Sequence, residues 1–167
     1  MKIFTLSKQP GFTLIETLIV FAIIVILALV AVPAIQNYEI QKQAADSLSL
    51  ADPVKKAIAE AALKGDISTA SNANQAAADA LGLPLNTSIN NEVVASVTLA
   101  GTSAAGANPQ TASITILYKT ANEGEPNIPA PLSGKTLVLI GTLTAESAVW
   151  SLDTTNSTLS PVFQPKI

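Results

Sequence analysis

The chain has 167 residues and a formal net charge of −3, with twelve acids against nine basic residues, all of them Lys. It contains no His, Cys or Arg. That removes His-based acid–base chemistry, thiol nucleophiles, disulfides, zinc–thiolate sites and bidentate guanidinium clamps. The acidic balance argues against a nucleic-acid binder, and an apolar share of 49% with only 4% aromatics means the excess is aliphatic.

Most of the aliphatic excess lies near the start. Leu18 to Ile35 is an unbroken run of eighteen residues without a charge or a polar side chain. A membrane-spanning helix needs about 20 predominantly apolar residues, so the run with its flanks is long enough. Extended back to Phe12, the stretch carries a single charge, Glu16. Ahead of it stands a short leader whose only charges are Lys2 and Lys8, which orients the N-terminus to the cytoplasmic side. A cleaved secretory signal with a cut near Val32-Pro33-Ala34 fits poorly, because the run exceeds an ordinary signal core and Pro33 sits beside the proposed cut. A plain anchor leaves Glu16 unexplained, since a carboxylate in an apolar span is expensive and points to function.

The leader ends in Pro10-Gly11, a pair that resists helix, and helical periodicity begins at Phe12. A protease needs extended backbone, so this junction is a cut site that would leave the apolar segment in place. Here the sequence resembles the type IV pilin family: a short basic leader ending in Gly, then Phe12-Thr13-Leu14-Ile15-Glu16, then the aliphatic run. The resemblance implies that a prepilin peptidase cuts after Gly11 and N-methylates Phe12. It also implies that Glu16 pairs with the terminal amine of a neighbouring subunit. Type II secretion pseudopilins share the motif, so it names the superfamily better than the member.

From Gln36 to Lys64 apolar residues recur in three- and four-residue steps at Ala44, Leu48, Ala51, Val54, Ile58, Ala61 and Ala62, the pattern of an amphipathic helix. Gly65-Asp66 supplies the stop. Phe12 to Lys64 as one helix would be about 80 Å long. Pro33 removes the hydrogen bond to the Leu29 carbonyl and is expected to kink the helix. Pro53 marks either a second kink or a short break, with Asp52 as N-cap of a new helix.

After Gly65 come a low-charge stretch with one short helix, Asn74 to Leu81, and four strand-like runs. Val93 to Leu99 alternates with Val93, Ala95, Val97 and Leu99 on one face. Ser113 to Lys119 aligns Ile114, Ile116 and Tyr118. Thr136 to Leu143 and Ala148 to Leu152 close the set. Turn-forming clusters between β-branched runs predict an antiparallel meander, with long polar loops at Gly101–Thr111 and Thr120–Gly134. The expected fold is α+β: a leader (1–11), a transmembrane or filament-core helix (12–35), an amphipathic helix (36–64) and a globular head (65–167) with a four-stranded antiparallel sheet.

The resemblance extends to Leu132-Ser-Gly-Lys-Thr-Leu, Ala148-Val-Trp-Ser and the closing Phe163-Gln-Pro-Lys-Ile, which are similar to the C-terminal half of major type IVa pilins. Those proteins usually carry Cys just after the Trp pair and near the chain end, where this sequence has Leu152 and Ile167. Two outcomes stand open: an apolar contact between Leu152 and Ile167 in place of the disulfide, or a loose tail. Burying one such side chain stabilises by about 1.5–3 kcal/mol, comparable with a disulfide.

Catalysis finds no footing. Glu123-Gly-Glu125 is a close acid pair in a Pro-containing loop, without an apolar setting to split its two pKa values. Calcium ligation by Glu123, Glu125 and Asp153 lacks a recognised spacing. The expectation is a non-enzyme without cofactor or metal. The resemblance implies a major pilin that polymerises through its apolar helix into a surface filament for adhesion, motility or DNA uptake. A minor pilin or pseudopilin is the runner-up, and a tip adhesin or DNA receptor the alternative of another class. Expected partners are identical subunits, the prepilin peptidase, the inner-membrane assembly machinery and the membrane itself, with no specific nucleic-acid binding. The precursor would sit in the bacterial inner membrane and the product in an extracellular pilus.

Overall fold

The computed structural model describes residues 11–121 and 128–167. Helix α1 runs Leu14–Ser49 and α2 runs Asp52–Lys64, followed by a short helix α3 (Gln75–Ala80) and strands β1 (Val94–Gly101), β2 (Gln110–Tyr118), β3 (Thr136–Leu143) and β4 (Ala148–Leu152). Contacts divide the chain into two units, residues 1–38 and 39–167, each described by itself.

In the first unit α1 presents aliphatic side chains all round, and none of its most apolar 18-residue window is buried. Pro33 lies inside the helix, which continues past it. The missing proline N–H leaves the Leu29 carbonyl without its usual helical donor.

In the second unit the two helical segments meet the sheet along one stripe. Ile40, Ala44, Ser47, Ala51, Val54 and Ile58 are all buried, alternating steps of four and three that keep one face turned to the same partner. Leu48, Ala61 and Ala62 are partly buried against this core. Between α1 and α2 the regular helix is interrupted at Leu50 and Ala51. Leu50 N and Ala51 N turn back on Ser47 O and Leu48 O, the tighter i to i−3 pattern. Pro53 has no N–H with which to continue the ladder, so the helix restarts. The N-cap is Ala51, without a side-chain cap, and Asp52 stands inside the first turn, paired with Lys55 at 3.3 Å. This corrects the placement of Asp52 as the cap.

The sheet is an antiparallel meander in the order β1-β2-β3-β4. On its helix-facing side Leu99, Ile114 and Leu139 align across three strands, as do Val97, Ile116 and Leu137, and all six are fully buried. β3 and β4 span the residues that their composition predicted. β2 starts earlier, at Gln110, which shortens the preceding loop. In β1 the strict alternation from Val93 fails: a register shift between Val94 and Ser96 turns Val94 into the core opposite Tyr118, while Val93 is only partly buried. A bulge inserts one residue, and every side chain before it changes face.

The β1 edge and the part of β3 that β4 leaves unpaired are covered. Beside β1, the Asn72 side chain donates to Val97 O at 3.0 Å and accepts from Leu99 N at 2.8 Å. Gly101 N donates to Ala70 O at 2.8 Å. At Gly101 a Cβ would stand 1.9 Å from Ile67 O, so only glycine admits this close backbone approach. On the other side β4 ends opposite Leu139, and the tail then takes over the edge of β3. Val138 N donates to Ser157 Oγ, Thr136 N to Thr158 Oγ1, and Leu159 N to Thr136 O.

Candidate functional site

Gly11, Phe12 and Thr13 are outside the helix and exposed, and α1 starts immediately after them. Thr13 is the N-cap: its carbonyl accepts from Thr17 N, and its hydroxyl accepts from Glu16 N at 3.3 Å. The Glu16 carboxylate reaches back to Thr13 N and Thr13 Oγ1, both at 2.8 Å. This reciprocal arrangement is a capping box, which satisfies orphan donors at the helix start and places a negative charge at its positive end. The signal was present as Thr13-Leu-Ile-Glu16, a Thr followed three residues later by Glu before an apolar run, and reading Glu16 only as an intersubunit partner overlooked it. The junction after Gly11 therefore lies just ahead of a capped helix, whose N-cap is Thr13. The leader's Lys2 and Lys8 lie outside the described residues.

Beyond the capping box, α1 offers exposed side chains only as far as Glu39. Phe12, Leu14, Ile15, Leu18 and the aliphatics through Ile35 are each more than half exposed. Glu16 is the one acid of this stretch, and its nearest partner group is Thr13 on its own chain.

The remaining expected positions are spread along the second unit. Leu152 packs partly buried against the core, and Ile167 is 56% exposed. The contacts that tie the tail are at residues that sequence reasoning had passed over: Leu159 is buried, Gln164 Nε2 donates to Leu159 O, and Gln41 Nε2 donates to Val162 O. Asp153 organises the turn that leads there, accepting from Asn156 Nδ2, Asn156 N and Thr155 N. These bonds, the Asn156 side chain first, hold its carboxyl below the usual range. Glu123 and Glu125 lie outside the described residues. Among the described residues no cluster of acids is placed to hold a metal ion.

The structure also assigns a role to Gln110. Its amide caps α2 from a distance, donating to Gly65 O at 3.0 Å and accepting from Ile67 N at 2.8 Å. Asp66 beside it accepts from Ser68 N and Ser68 Oγ, which lower its pKa, with Gly106 N contributing less.

A capped apolar helix that continues into an amphipathic face carrying a four-stranded antiparallel sheet defines a helix-led α+β subunit. Residues 43–166 match the family described as pilin (bacterial filament), and residues 6–32 match the prokaryotic N-terminal methylation motif. The chain belongs to the type IV pilin family. It is similar to a type IV major fimbrial protein FimA of Dichelobacter nodosus, 57% identical over 54 residues, 32% of this chain and 34% of that one. A second FimA of that organism is 47% identical over 68 residues, 41% of this chain and 42% of the relative. These alignments span less than half the length of the relatives. The fimbrial protein EcpC of Eikenella corrodens is 36% identical over 142 residues, 85% of this chain and 80% of that protein.

Proposed function

We propose that this chain is the major structural subunit of a type IV pilus. The observation that carries the reading is the unburied aliphatic surface of α1 between Leu14 and Ile35, each large side chain more than half exposed, which requires a nonaqueous surrounding. Before assembly that surrounding is the inner membrane. In the filament it is the same helix of neighbouring copies, and the head faces outward.

Processing precedes assembly. The prepilin peptidase cuts after Gly11, and Phe12 becomes the first residue with a methylated, still protonatable amine. Inside the helix bundle an unpaired Glu16 carboxylate is costly. The amine of Phe12 from an adjacent copy offsets that cost and selects an axial register, since a shifted pair leaves both charges alone. Register is the larger effect, because buried ion pairs often add little net stability. Pro33 loosens the apolar helix locally, and the interruption ahead of Pro53 divides the helical stripe under the sheet. A contact between Leu152 and Ile167 would fasten the tail in place of the family's disulfide, although Ile167 is largely exposed in the single chain. The assembly machinery of the inner membrane is the remaining partner.

The test is mass analysis of sheared surface filaments. The expected result is this chain as the dominant component, starting at Phe12 with one added methyl group. A start at Met1 or near Ile35 overturns the reading, and a trace amount in filaments built of another chain makes it a minor pilin.

A further inference from the structure

The two ends of the unit 39–167 differ in shape and chemistry. At one end Gln41 Nε2 donates to Val162 O at 2.9 Å, and the turn Pro161–Phe163 holds the Val162 side chain 63% exposed. β3 begins at this end, with Thr136 tied to Thr158. Lys119 and Lys135 flank the β2–β3 connection at this end, whose sequence also holds Glu123 and Glu125, and Lys166 follows Gln164, which is tied to Leu159 O.

At the other end β3 finishes at Leu143. There a cavity of about 160 Å³ opens, where Ala59, Leu63, Leu143, Ala145 and Ala148 share the wall with Thr144, Glu146 and Ser147. Leu63 is 64% exposed beside it. Asp66 stands close by, and Lys64 is the one cation of this end among the described residues. The rise of β3 separates the two ends by about 23 Å, and the helical path from Gln41 to Leu63 by about 33 Å. Val162 therefore cannot reach the cavity of its own chain.

We propose that Val162 and Lys166 of one copy dock on the Leu63 cavity and Glu146 of the next. The proposal rests on the reading of the chain as a polymerising subunit and adds a contact between heads to it. The two surfaces match in kind: a branched aliphatic side chain against the alanine and leucine side of a hollow of suitable size, and a lysine against the glutamate on its polar side. They are different patches at opposite ends, so the contact is heterologous, and its repetition makes an open series rather than a closed dimer. It stacks heads along the direction in which β3 runs.

The chain has no cysteine, so the double variant Val162→Cys with Ala148→Cys carries its only thiols. Oxidised filaments of this variant should give a non-reducing ladder of dimers, trimers and longer species, and either single variant should give none of the higher steps. Filaments without cross-links, or with dimers only, overturn the proposal. Unaltered filaments provide the second measurement. Zero-length carbodiimide coupling should yield a linked peptide joining Glu146 to Lys166, groups at opposite ends of one copy. Its absence overturns the contact even where the cysteine variant fails to assemble. If the unaltered chain forms no filaments, the subunit reading falls and this contact falls with it, whereas filaments lacking both cross-links leave the subunit reading standing.

Discussion

Ser47 Oγ and Tyr118 Oη meet at 2.7 Å, both residues 1% exposed, where α1 crosses the end of β2. The serine hydroxyl also bonds Ala44 O at 2.6 Å. A small hydroxyl in the helix stripe thus gives the buried phenol a partner without which its desolvation would be unfavourable.

Tyr118→Phe leaves Ser47 its bond to Ala44 O, so the expected loss is about 1 kcal/mol, a drop of a few degrees in melting temperature. Ser47→Ala orphans the phenol and should cost more, about 1–3 kcal/mol. Burial raises the Tyr118 pKa, against a smaller lowering by Ser47. A raised acid pKa means that the folded state holds its proton longer. Its contribution to stability is complete below about pH 10 and is lost as pH rises through the folded value. Melting curves between pH 8 and 12 should show this alkaline loss in the parent chain and less of it in Tyr118→Phe. Equal alkaline slopes would exclude Tyr118 as its source.

Trp150 lies directly over Gly141, its cross-strand partner in β3 and β4. A Cβ at position 141 would stand 2.6–2.8 Å from three atoms of the indole ring. Gly141→Ala must therefore tilt the ring or part the strands, at an expected cost of about 1–3 kcal/mol. The chain has one Trp, so its emission is a clean reporter. The variant should melt lower and emit at longer wavelength. An unchanged spectrum would mean that the ring moves freely.

Asn72→Ala removes the side chain that closes the edge of β1, leaving Val97 O and Leu99 N without those partners. Unsatisfied buried groups cost about 1–3 kcal/mol each. The uncovered edge also invites pairing with other chains. Hydrogen exchange at Leu99 should rise by more than tenfold, and the protein should aggregate at concentrations that the parent tolerates. Protection unchanged at Leu99 would show that Ala70 and Gly101 hold the edge alone.

The acid side should be visible at Asp153. Its carboxyl is held low by Asn156, so this contribution is present above the ordinary carboxylate pKa and is lost as pH falls from about 4 through the folded value. Asn156→Ala should shift the acid midpoint of tail release upward, read by pepsin cleavage at Leu159 and Phe163, which the docked tail shields. No change in that midpoint would place the tail's anchorage at Thr158 and Leu159 instead.

Regular elements were legible because their physics is local. β3 and β4 carry β-branched runs between turn residues, and the helix stripe repeats in steps of three and four. What could not be read depends on residues far apart in sequence. Nothing in the surroundings of Asn72 says that it will face β1, and Gln110 caps α2 from 45 residues beyond Gly65. The bulge near Ala95 arises where a strand must satisfy both Tyr118 and Leu117 across the ladder, and alternation alone is silent about it. At the candidate site, Glu16 stood out by its charge, yet its capping role with Thr13 needed only a four-residue pattern.

That double role of Glu16 can be separated. In the single chain its carboxylate caps the helix through Thr13, and in the proposed filament it also faces the amine of Phe12 from another copy. Glutamine at position 16 can still accept from Thr13 N, so Glu16→Gln preserves the capping box and removes only the charge. Thr13→Val does the reverse: it deletes the capping hydroxyl, at about 1 kcal/mol, and keeps the carboxylate. Glu16→Ala loses both. If the charge pair sets axial register, Glu16→Gln and Glu16→Ala should both be processed and membrane-inserted yet yield few filaments, roughly tenfold fewer than the parent, while Thr13→Val assembles at a moderately reduced level. If capping is what assembly needs, Glu16→Gln should assemble like the parent and Thr13→Val should fail with Glu16→Ala. Shearing cells and comparing filament yield with membrane-held protein by immunoblot distinguishes the two patterns, and near-parent yield from Glu16→Gln would require the charge-pair account to be abandoned.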